Sequence, residues 1–293
     1  MNEPNCAAKA TYTGTITIEP HSRNRVGFFE SLFRLLRSVA INRALIFSLY
    51  KRDYFVAHRK SFLGLTWLIF NPFLGVAAWL FFNATGVLDT GMNEIPYPVY
   101  LLTGTSIWAL FVGGFGAGSG TLSASASLSL QIKIPREVFL FKNSLEQLSN
   151  ITIGLVLNII VYAIYQFVPS IEVILLPILI FPLFLLGISI GLVSSILATA
   201  VPDIGRLTSV AINFLFFITP VLYDSKSKAW LLQDINYFNP LTHLVVFPRD
   251  LILHGASGNL REYLIASTLV AVLFCFSWRF FFLTEERLSE RIG

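Results

Sequence analysis

The feature that most limits what this chain can fold into is a set of six stretches without a charged residue. A charge at the centre of a membrane-spanning helix costs about 2.5–3.5 kcal/mol, so spanning helices are expected inside such stretches. The first four exceed the roughly 20 residues that cross a bilayer, and the last two have 17 and 16 residues. The charges that bound the stretches are Lys60 and Asp89, Glu94 and Lys133, Glu146 and Glu172, Glu172 and Asp203, Arg206 and Asp224, and Glu262 and Arg279.

Composition favours a bilayer as the solvent of these stretches. Apolar residues make up 55% of the chain, charged residues 13%, and the mean hydropathy is +0.68. Soluble domains have about 45–50% and about 25% respectively. We therefore predict an all-α integral membrane protein with a six-span transmembrane domain over 61–283. The predicted spans lie near 62–86, 97–122, 148–168, 173–200, 205–223 and 262–281.

The distribution of basic residues predicts the orientation. Of the 21 Lys and Arg residues, 17 fall in tails and loops of one side and four on the other. The positive-inside rule then places both termini in the cytoplasm. Residues 1–27 lack the apolar core of a signal peptide and are expected to be a mobile cytoplasmic tail, and 284–293 a cytoplasmic C-terminus. Nucleic acid is not an expected partner, because the basic residues flank apolar runs and form no continuous stripe.

Residues 28–60 predict an amphipathic helix, or two, in the cytoplasmic interface. Between Phe28 and Phe55 apolar residues recur at helical spacing and are interleaved with Arg and Lys. Such a pattern next to a membrane span is typical of a helix that lies in the headgroup region and contacts membrane lipids.

The segment 224–261 is expected on the extracytoplasmic side. Its part 229–248 is apolar and aromatic, but Asn239 and Pro240 divide it into pieces too short to cross. We predict two short re-entrant helices before the last span. Irregular backbone within the membrane must be buried in protein or line a water-filled cavity. The segment is therefore a first indication of a transport pathway.

Five glycines between Gly113 and Gly120 resemble a phosphate-binding loop, but they lie inside an uncharged span. None of the seven lysines follows a glycine, so there is no Walker A pattern. Small residues at i and i+4, Gly114 with Gly118 and Gly116 with Gly120, instead favour close packing of spanning helices.

Other chemistry is also missing from the sequence. The two cysteines and four histidines have no metal-ligand spacing, and no catalytic motif is present. No Asp, Glu, Lys or Arg lies in the core of a predicted span, so a proton- or ion-driven pump would lack its usual carriers. We therefore predict neither a catalytic residue nor a metal site.

Four sequence blocks lie between about residue 50 and 255. They are Arg52-Asp53 with 61–67 and Asn71-Pro72; 101–104 with Trp108; 134–137; and 203–205, 216–223, 239–241 and Arg249-Asp250. With these blocks, in order and at the family's spacing, the chain resembles the membrane subunit of polysaccharide-exporting ABC transporters of the ABC transmembrane type-2 family, which export O-antigen, capsule or teichoic acid chains. Pro202 departs from the pattern, since relatives usually show Arg there.

The resemblance implies a transport subunit and not an enzyme. It implies a homodimer of this chain in the bacterial inner membrane, bound to two copies of an ABC ATPase subunit. ATP and Mg would be bound by that partner, with no cofactor in this chain. A lipid-linked polysaccharide would pass between the two copies.

Two cytoplasmic sites follow from the resemblance. A stiff helix beginning at Pro135 would contact the ATPase, and the alternative is an ordinary loop between spans. Three basic residues lie where the phosphate of a lipid-linked substrate would arrive, although they could equally be topology-setting charges attracted to anionic lipids. The predicted ATPase-coupling residues are Ile134, Pro135, Arg136 and Glu137, and the predicted phosphate-binding residues are Arg52, Arg59 and Lys60.

Aromatic rings are the remaining candidates, because sugar rings present C–H groups that pack on π-surfaces. The alternative for each ring is lipid contact or anchoring at the interface. The predicted channel aromatics are Trp67, Phe70, Trp108, Phe111, Phe115, Phe214, Phe217 and Tyr223. The predicted exit gate is Trp230, Tyr237 and Phe238.

Two other functions stay open at this point. One is an ABC type-2 exporter of a different cargo, such as a lipid or drug. The other is a membrane-embedded transferase acting on lipid-linked sugars, which would need a cluster of acidic or histidine residues. The candidates for such a cluster are scattered along the chain: Asp89, Glu94, Asp224 and His243.

Overall fold

The computed structural model describes residues 26–59, 66–85, 95–129, 134–223, 230–255 and 259–292. Within these ranges every regular element is helical and no strand occurs, which confirms the predicted all-α class. A 3-10 helix, Ile171–Leu175, lies between α5 and α6. The α-helices are α1 Phe28–Ile41, α2 Arg43–Arg59, α3 Trp67–Ala84, α4 Tyr97–Ser129, α5 Arg136–Ile164, α6 Leu176–Leu179, α7 Phe181–Ala200, α8 Pro202–Ile218, α9 Trp230–Phe238, α10 Pro240–His254 and α11 Leu260–Ile292.

Four stretches of the described chain are long and apolar enough to cross a membrane. They overlap the predicted second, third, fourth and sixth spans. Helices α3 and α8 lie at the predicted first and fifth spans, with 18 and 17 residues. At 1.5 Å per residue these two extend about 27 and about 25 Å. The four long stretches are Tyr97–Ser125, Arg136–Ile164, Ile171–Ala200 and Leu260–Thr284.

Helices α1 and α2 occupy the segment predicted to be amphipathic, and Asn42 separates them. Its side-chain amide donates to the carbonyl oxygen four residues earlier at 2.8 Å, which ends α1. One face of α1 lies against α11, where Trp278 Nε1 donates to the Ser31 carbonyl oxygen at 3.2 Å. The other face leaves Phe29 and Phe33 exposed, as is typical of a helix in the membrane interface.

Helices α4 and α7 cross at two pairs of glycines. Gly114 and Gly118 of α4 face Gly187 and Gly191 of α7. A Cβ atom on Gly118 would lie 2.6 Å from the Ile188 carbonyl oxygen, and a Cβ on the other three would meet opposing backbone more closely still. The predicted close packing at Gly114 and Gly118 is confirmed, and it places α4 and α7 at the centre of the bundle.

The second predicted glycine pair has a different neighbour. Gly116 and Gly120 face α5, where they leave room for the side chains of Gln147 and Asn143. The Asn143 amide donates to the Ala117 carbonyl oxygen at 3.3 Å, so a buried polar contact joins α5 to α4.

Helices α9 and α10 fold back against the bundle. Asn239 separates them and caps α10, because its Oδ1 accepts a hydrogen bond from the Leu241 backbone at 3.0 Å. Leu244 and Val245 of α10 are buried in a cluster shared with α4, α7 and α11. Gly255 ends α10 in the left-handed region, with φ of 71°, where glycine is favoured. The segment is therefore packed on the protein and is not a free loop.

Candidate functional site

Arg249 is the most deeply buried charged side chain in the described part of the protein, at 1% exposure. Its Nη1 donates to the Pro220 carbonyl oxygen at 2.6 Å, and its Nε lies 3.2 Å from Asp250 Oδ1. The guanidinium also lies over the Tyr100 ring, 4.2 Å from the ring centre. The side chain thus connects α10 to α4 and to the segment that follows α8.

The segment 219–223 needs these contacts because α8 ends at Ile218 and leaves later carbonyl groups without helical partners. Tyr100 donates from its hydroxyl to the Tyr223 carbonyl oxygen at 2.8 Å, and Tyr97 to that of Leu222 at 3.4 Å. Side chains of α4 and α10 therefore donate to three of the backbone carbonyl groups that follow α8, those of Pro220, Leu222 and Tyr223.

Gly104 allows α4 to approach this segment. A Cβ atom there would lie 2.7 Å from the Val221 carbonyl oxygen, closer than Cβ atoms come to backbone oxygen in proteins. We call Tyr97, Tyr100, Gly104, 219–223 and Arg249 the Arg249 cluster. Two sequence blocks that are far apart in the chain, 101–104 and the block from Phe216 to Asp250, meet in it.

The predicted gate residues lie beside this cluster on α9. Tyr237 and Phe238 are 65% and 81% exposed, and their rings meet edge to face with centres 5.2 Å apart. His243 Nε2 lies 2.9 Å from the Tyr237 carbonyl oxygen, and the Asn239 amide donates to Thr219 Oγ1 at 3.3 Å. The Trp230 side chain lies outside the described residues. The two described rings are thus held on a fixed backbone and point away from the core.

The predicted channel aromatics divide into two groups. Trp108, Phe111 and Phe115 are buried in the bundle, with Trp108 and Phe111 5.0 Å apart between ring centres, so in this structure they face no open surface. The Tyr223 hydroxyl donates to the Ile218 carbonyl oxygen at 2.7 Å. The exposed group is Phe70 of α3 and Phe214 and Phe217 of α8, while the Trp67 side chain lies outside the described residues.

Trp79 of α3 joins the two groups, and sequence reasoning missed it. Its ring centre lies 6.2 Å from that of Phe217 and 6.4 Å from that of Phe216. Phe216 in turn lies 5.7 Å from buried Trp108. An aromatic layer therefore extends from the core to the exposed faces of α3 and α8.

The predicted ATPase-coupling residues lie where α2 meets α5. Pro135 immediately precedes α5, and Arg136 is partly exposed, whereas Glu137 is only 5% exposed. Ile134 packs against a buried cluster that contains Ile46 of α2. A partner protein docking here would therefore meet Pro135 and Arg136, and Glu137 belongs to the interior of the subunit.

A charged network joins α2 to α5 one helical turn further on. Lys142 Nζ lies 3.0 Å from Asp53 Oδ2 and 2.9 Å from Glu146 Oε1, and its side chain is 8% exposed. Arg52 Nε lies 2.7 Å from Asp53 Oδ1. We call these four residues the Lys142 network. Arg52, predicted to bind substrate phosphate, is thus paired within the subunit, while the Arg59 side chain and Lys60 lie outside the described residues.

The network sets the protonation of Asp53. Burial by itself raises the pKa of the Asp53 carboxyl, but hydrogen bonds and charges from Arg52 and Lys142 outweigh it. The pKa is therefore held below its ordinary value of 3.8, and the carboxylate stays ionised at neutral pH.

Sequence reasoning missed the roles of Lys142, Tyr97 and Tyr100. Lys142 and Glu146 have opposite charges and stand at i and i+4, which was the available signal. Nothing in the sequence pairs either tyrosine with segment 219–223. Among the described residues no group of three or more His, Cys, Asp or Glu side chains could hold a metal ion.

Long apolar helices packed through glycines, together with a helix pair folded back on the bundle, define a multi-pass membrane protein. Within that class, the chain belongs to the ABC-2 type transporter family, whose model matches residues 44–252. The chain is therefore a transport protein.

Several relatives are similar over most of their length. The O-antigen export system permease protein of Myxococcus xanthus is 21% identical over 89% of this chain and 100% of its own. A Klebsiella pneumoniae protein of the same name is 24% identical over 70% of this chain and 78% of its own. The polysialic acid transport protein of Escherichia coli is 22% identical over 79% of this chain and 91% of its own.

Proposed function

We propose that this chain is the membrane subunit of an ATP-driven exporter that moves a lipid-linked, O-antigen-like polysaccharide across the bacterial inner membrane. The observation that carries the proposal is the alignment over the whole length of an O-antigen export permease and 91% of a polysialic acid transport protein. Both of these relatives are named for the transport of long glycans.

The proposed topology has six spans with both termini in the cytoplasm. Helices α3 and α8 supply the first and fifth spans, and the segment 219–223 extends α8 towards the far interface. The exposed apolar side chains of both helices, such as Phe73 and Phe81 of α3 and Val210 of α8, support this assignment. Helices α9 and α10 are the re-entrant pair on the extracytoplasmic side.

The proposed pathway lies between two copies of the chain. The exposed rings Phe70, Phe214 and Phe217 on α3 and α8 are candidates to line it, with the buried rings of Trp108, Phe111 and Phe115 as a supporting layer. Tyr237 and Phe238 would meet the glycan at the extracytoplasmic exit. Arg59 and Lys60, with Arg52, would attract the substrate phosphate at the cytoplasmic side.

Energy would come from a separate ABC ATPase subunit, in two copies, that binds ATP and Mg. This assignment is supported by the family and by the lack of a Walker A lysine anywhere in the chain. The proposed docking residues are Pro135 and Arg136, which lie at the start of α5 and are partly exposed.

The decisive experiment is reconstitution of this chain with its co-purifying ATPase in vesicles. A polyprenyl-diphosphate-linked glycan extracted from the source strain should raise ATP hydrolysis and appear inside inverted vesicles. Stimulation by lipids or drugs but not by the glycan would replace the proposed cargo. Sugar transfer without ATP would overturn export in favour of a transferase.

Orientation has its own test in a variant whose native cysteines, Cys6 and Cys275, are replaced by serine. A cysteine at the exposed position Asn259 should react with an impermeant thiol reagent added outside, and one at Arg206, 86% exposed, should not. The reverse labelling would invert the proposed topology.

A further inference from the structure

Lys142 has an arrangement that a purely structural lysine does not require. Its ammonium group is almost fully buried between two carboxylates, Asp53 of α2 and Glu146 of its own helix. Taking a lysine out of water costs several kcal/mol, which the two partners offset without much surplus. An apolar side chain of similar size would fill this space at lower cost, so stability alone does not account for the charge.

Apolar contacts already hold α2 on α5. Ile46 and Leu49 are buried against Val138, and the Tyr50 hydroxyl lies 2.7 Å from Ser149 Oγ. Together with Asp53 these α2 residues follow helical spacing, so a single face of α2 lies along α5. The ion pair adds what apolar contacts lack, which is a fixed register between the two helices, because a slide by one residue would separate the charges.

The same turn of α5 also contacts α4. Asn143, next to Lys142, donates to the Ala117 carbonyl oxygen of α4 at 3.3 Å. Helix α5 therefore contacts α2 through the Lys142 side chain and the central helix α4 through the Asn143 side chain. Movement imposed at the start of α5 would reach both helices.

We infer that Lys142 is a positioning residue that locks α2 to α5, so that a displacement of the 134–137 segment by the ATPase moves the interfacial helix and the span together. This inference rests on the proposed function, because it requires an ATPase that pushes on this segment. Lys142 contacts neither nucleotide nor glycan in this role. Its loss should leave ATP hydrolysis in place and disconnect it from export.

The lock itself is measured without any transport assay. Spin labels at Lys51 of α2 and at Leu148 of α5, both exposed, report the distance between the helices in the purified chain. The distance distribution should be narrow in the parent chain and clearly broader with Lys142→Met or Asp53→Asn. An unchanged distribution in both single variants would overturn the inference.

Coupling is measured in the ATPase complex with the polyprenyl-diphosphate-linked glycan as probe. Lys142→Met should keep ATP hydrolysis but lower export per ATP by about tenfold, within the usual range of coupling between sites. Glu30→Gln, which breaks the exposed Glu30–Arg34 pair at 2.8 Å in α1, is the matched control and should change neither quantity.

The variants separate coupling from folding. If Lys142→Met does not fold, the less buried Asp53→Asn is judged by the same two measurements. Unchanged export per ATP in a folded variant would overturn the coupling role. Failure of the parent complex to export the glycan would count against the proposed function instead, while the distance measurement would still decide the lock.

Discussion

Arg249 and Lys142 are both buried cations, but their surroundings differ in kind. Arg249 is held by a backbone carbonyl group at 2.6 Å, an aromatic ring at 4.2 Å and the neighbouring Asp250. Lys142 is held by two carboxylates that are 32% and 22% exposed. The contacts of Arg249 come from three parts of the chain, whereas those of Lys142 come from two helices.

The difference separates a fixed region from an adjustable one. The Pro220 carbonyl group is uncharged, and Pro220 and the Tyr100 ring are buried, so two of the three partners of Arg249 lie away from water, while the third, Asp250, is 31% exposed. The carboxylates of the Lys142 network keep partial contact with water, so salt and any new charge nearby act on them. A helix junction of the second kind suits a place where a partner protein acts, and one of the first kind suits a region that keeps its shape.

Substitution of Arg249 has the largest expected effect. Arg249→Met would leave the Pro220 carbonyl group and Asp250 without their buried partner, at a cost of about 3–5 kcal/mol. We expect a large drop in the amount of folded, monodisperse protein, measured by size-exclusion chromatography and thermal unfolding. Arg249→Lys should recover only part of the loss, because an ammonium group lacks the planar fork that serves ring and carbonyl together.

The matched control is Arg261→Ala, which removes an exposed arginine at the start of α11 and should change stability by no more than about 0.5 kcal/mol. Wild-type stability for Arg249→Met would show that the Arg249 cluster is not the fixed region, and the comparison would fail.

Gly104→Ala tests the same cluster through its backbone. The new Cβ would lie 2.7 Å from the Val221 carbonyl oxygen, so α4 and segment 219–223 must separate, at about 1–3 kcal/mol. Gly154→Ala is the control, because its Cβ would meet Ser106 Oγ at an ordinary 3.5 Å and alanine favours helix by up to about 1 kcal/mol. The midpoint of thermal unfolding should fall for Gly104→Ala and not for Gly154→Ala. Equal midpoints for the two variants would show that segment 219–223 can shift.

Much of the fold could be predicted from local pattern. Charge-free stretches located the four long spans, and small residues at i and i+4 located the face of α4 that meets α7. These features are encoded in consecutive residues, because the cost of burying a charge or of separating two backbones is local.

The contacts within both buried-cation sites could not be predicted in this way. Arg249 meets Tyr100 across 149 positions of sequence, and Lys142 meets Asp53 across 89, and no periodicity specifies such pairs. Aromatic composition was a poor guide for a related reason: it does not distinguish Phe111, which is fully buried, from exposed Phe214. The distinction depends on which helix face meets a neighbour.

Acid should weaken the Lys142 network at Asp53. The pKa of Asp53 is lowered below 3.8 in the folded protein, so its contribution is fully present above about pH 4 and is lost as the pH falls through the folded value. The stability difference between wild type and Asp53→Asn should be constant from about pH 7 to about pH 5 and shrink below that range. A difference that grew on acidification would mean that Asp53 is not stabilised as an anion.

Removal of both gate rings should have the smallest effect on stability and a selective effect on transport. Tyr237 and Phe238 are 65% and 81% exposed, so the double replacement by alanine removes little buried area and should leave the amount of folded protein unchanged. Their backbone is held independently, since Asn239 caps α10 and bonds to Thr219.

If the rings contact the glycan at the exit, export in the ATPase complex falls or small solutes leak, at normal protein levels. If they only anchor α9 in the interface, the folded amount falls instead, and normal export with an intact ion barrier would exclude a gate. The measurement thus decides whether the exposed rings act on substrate or anchor α9.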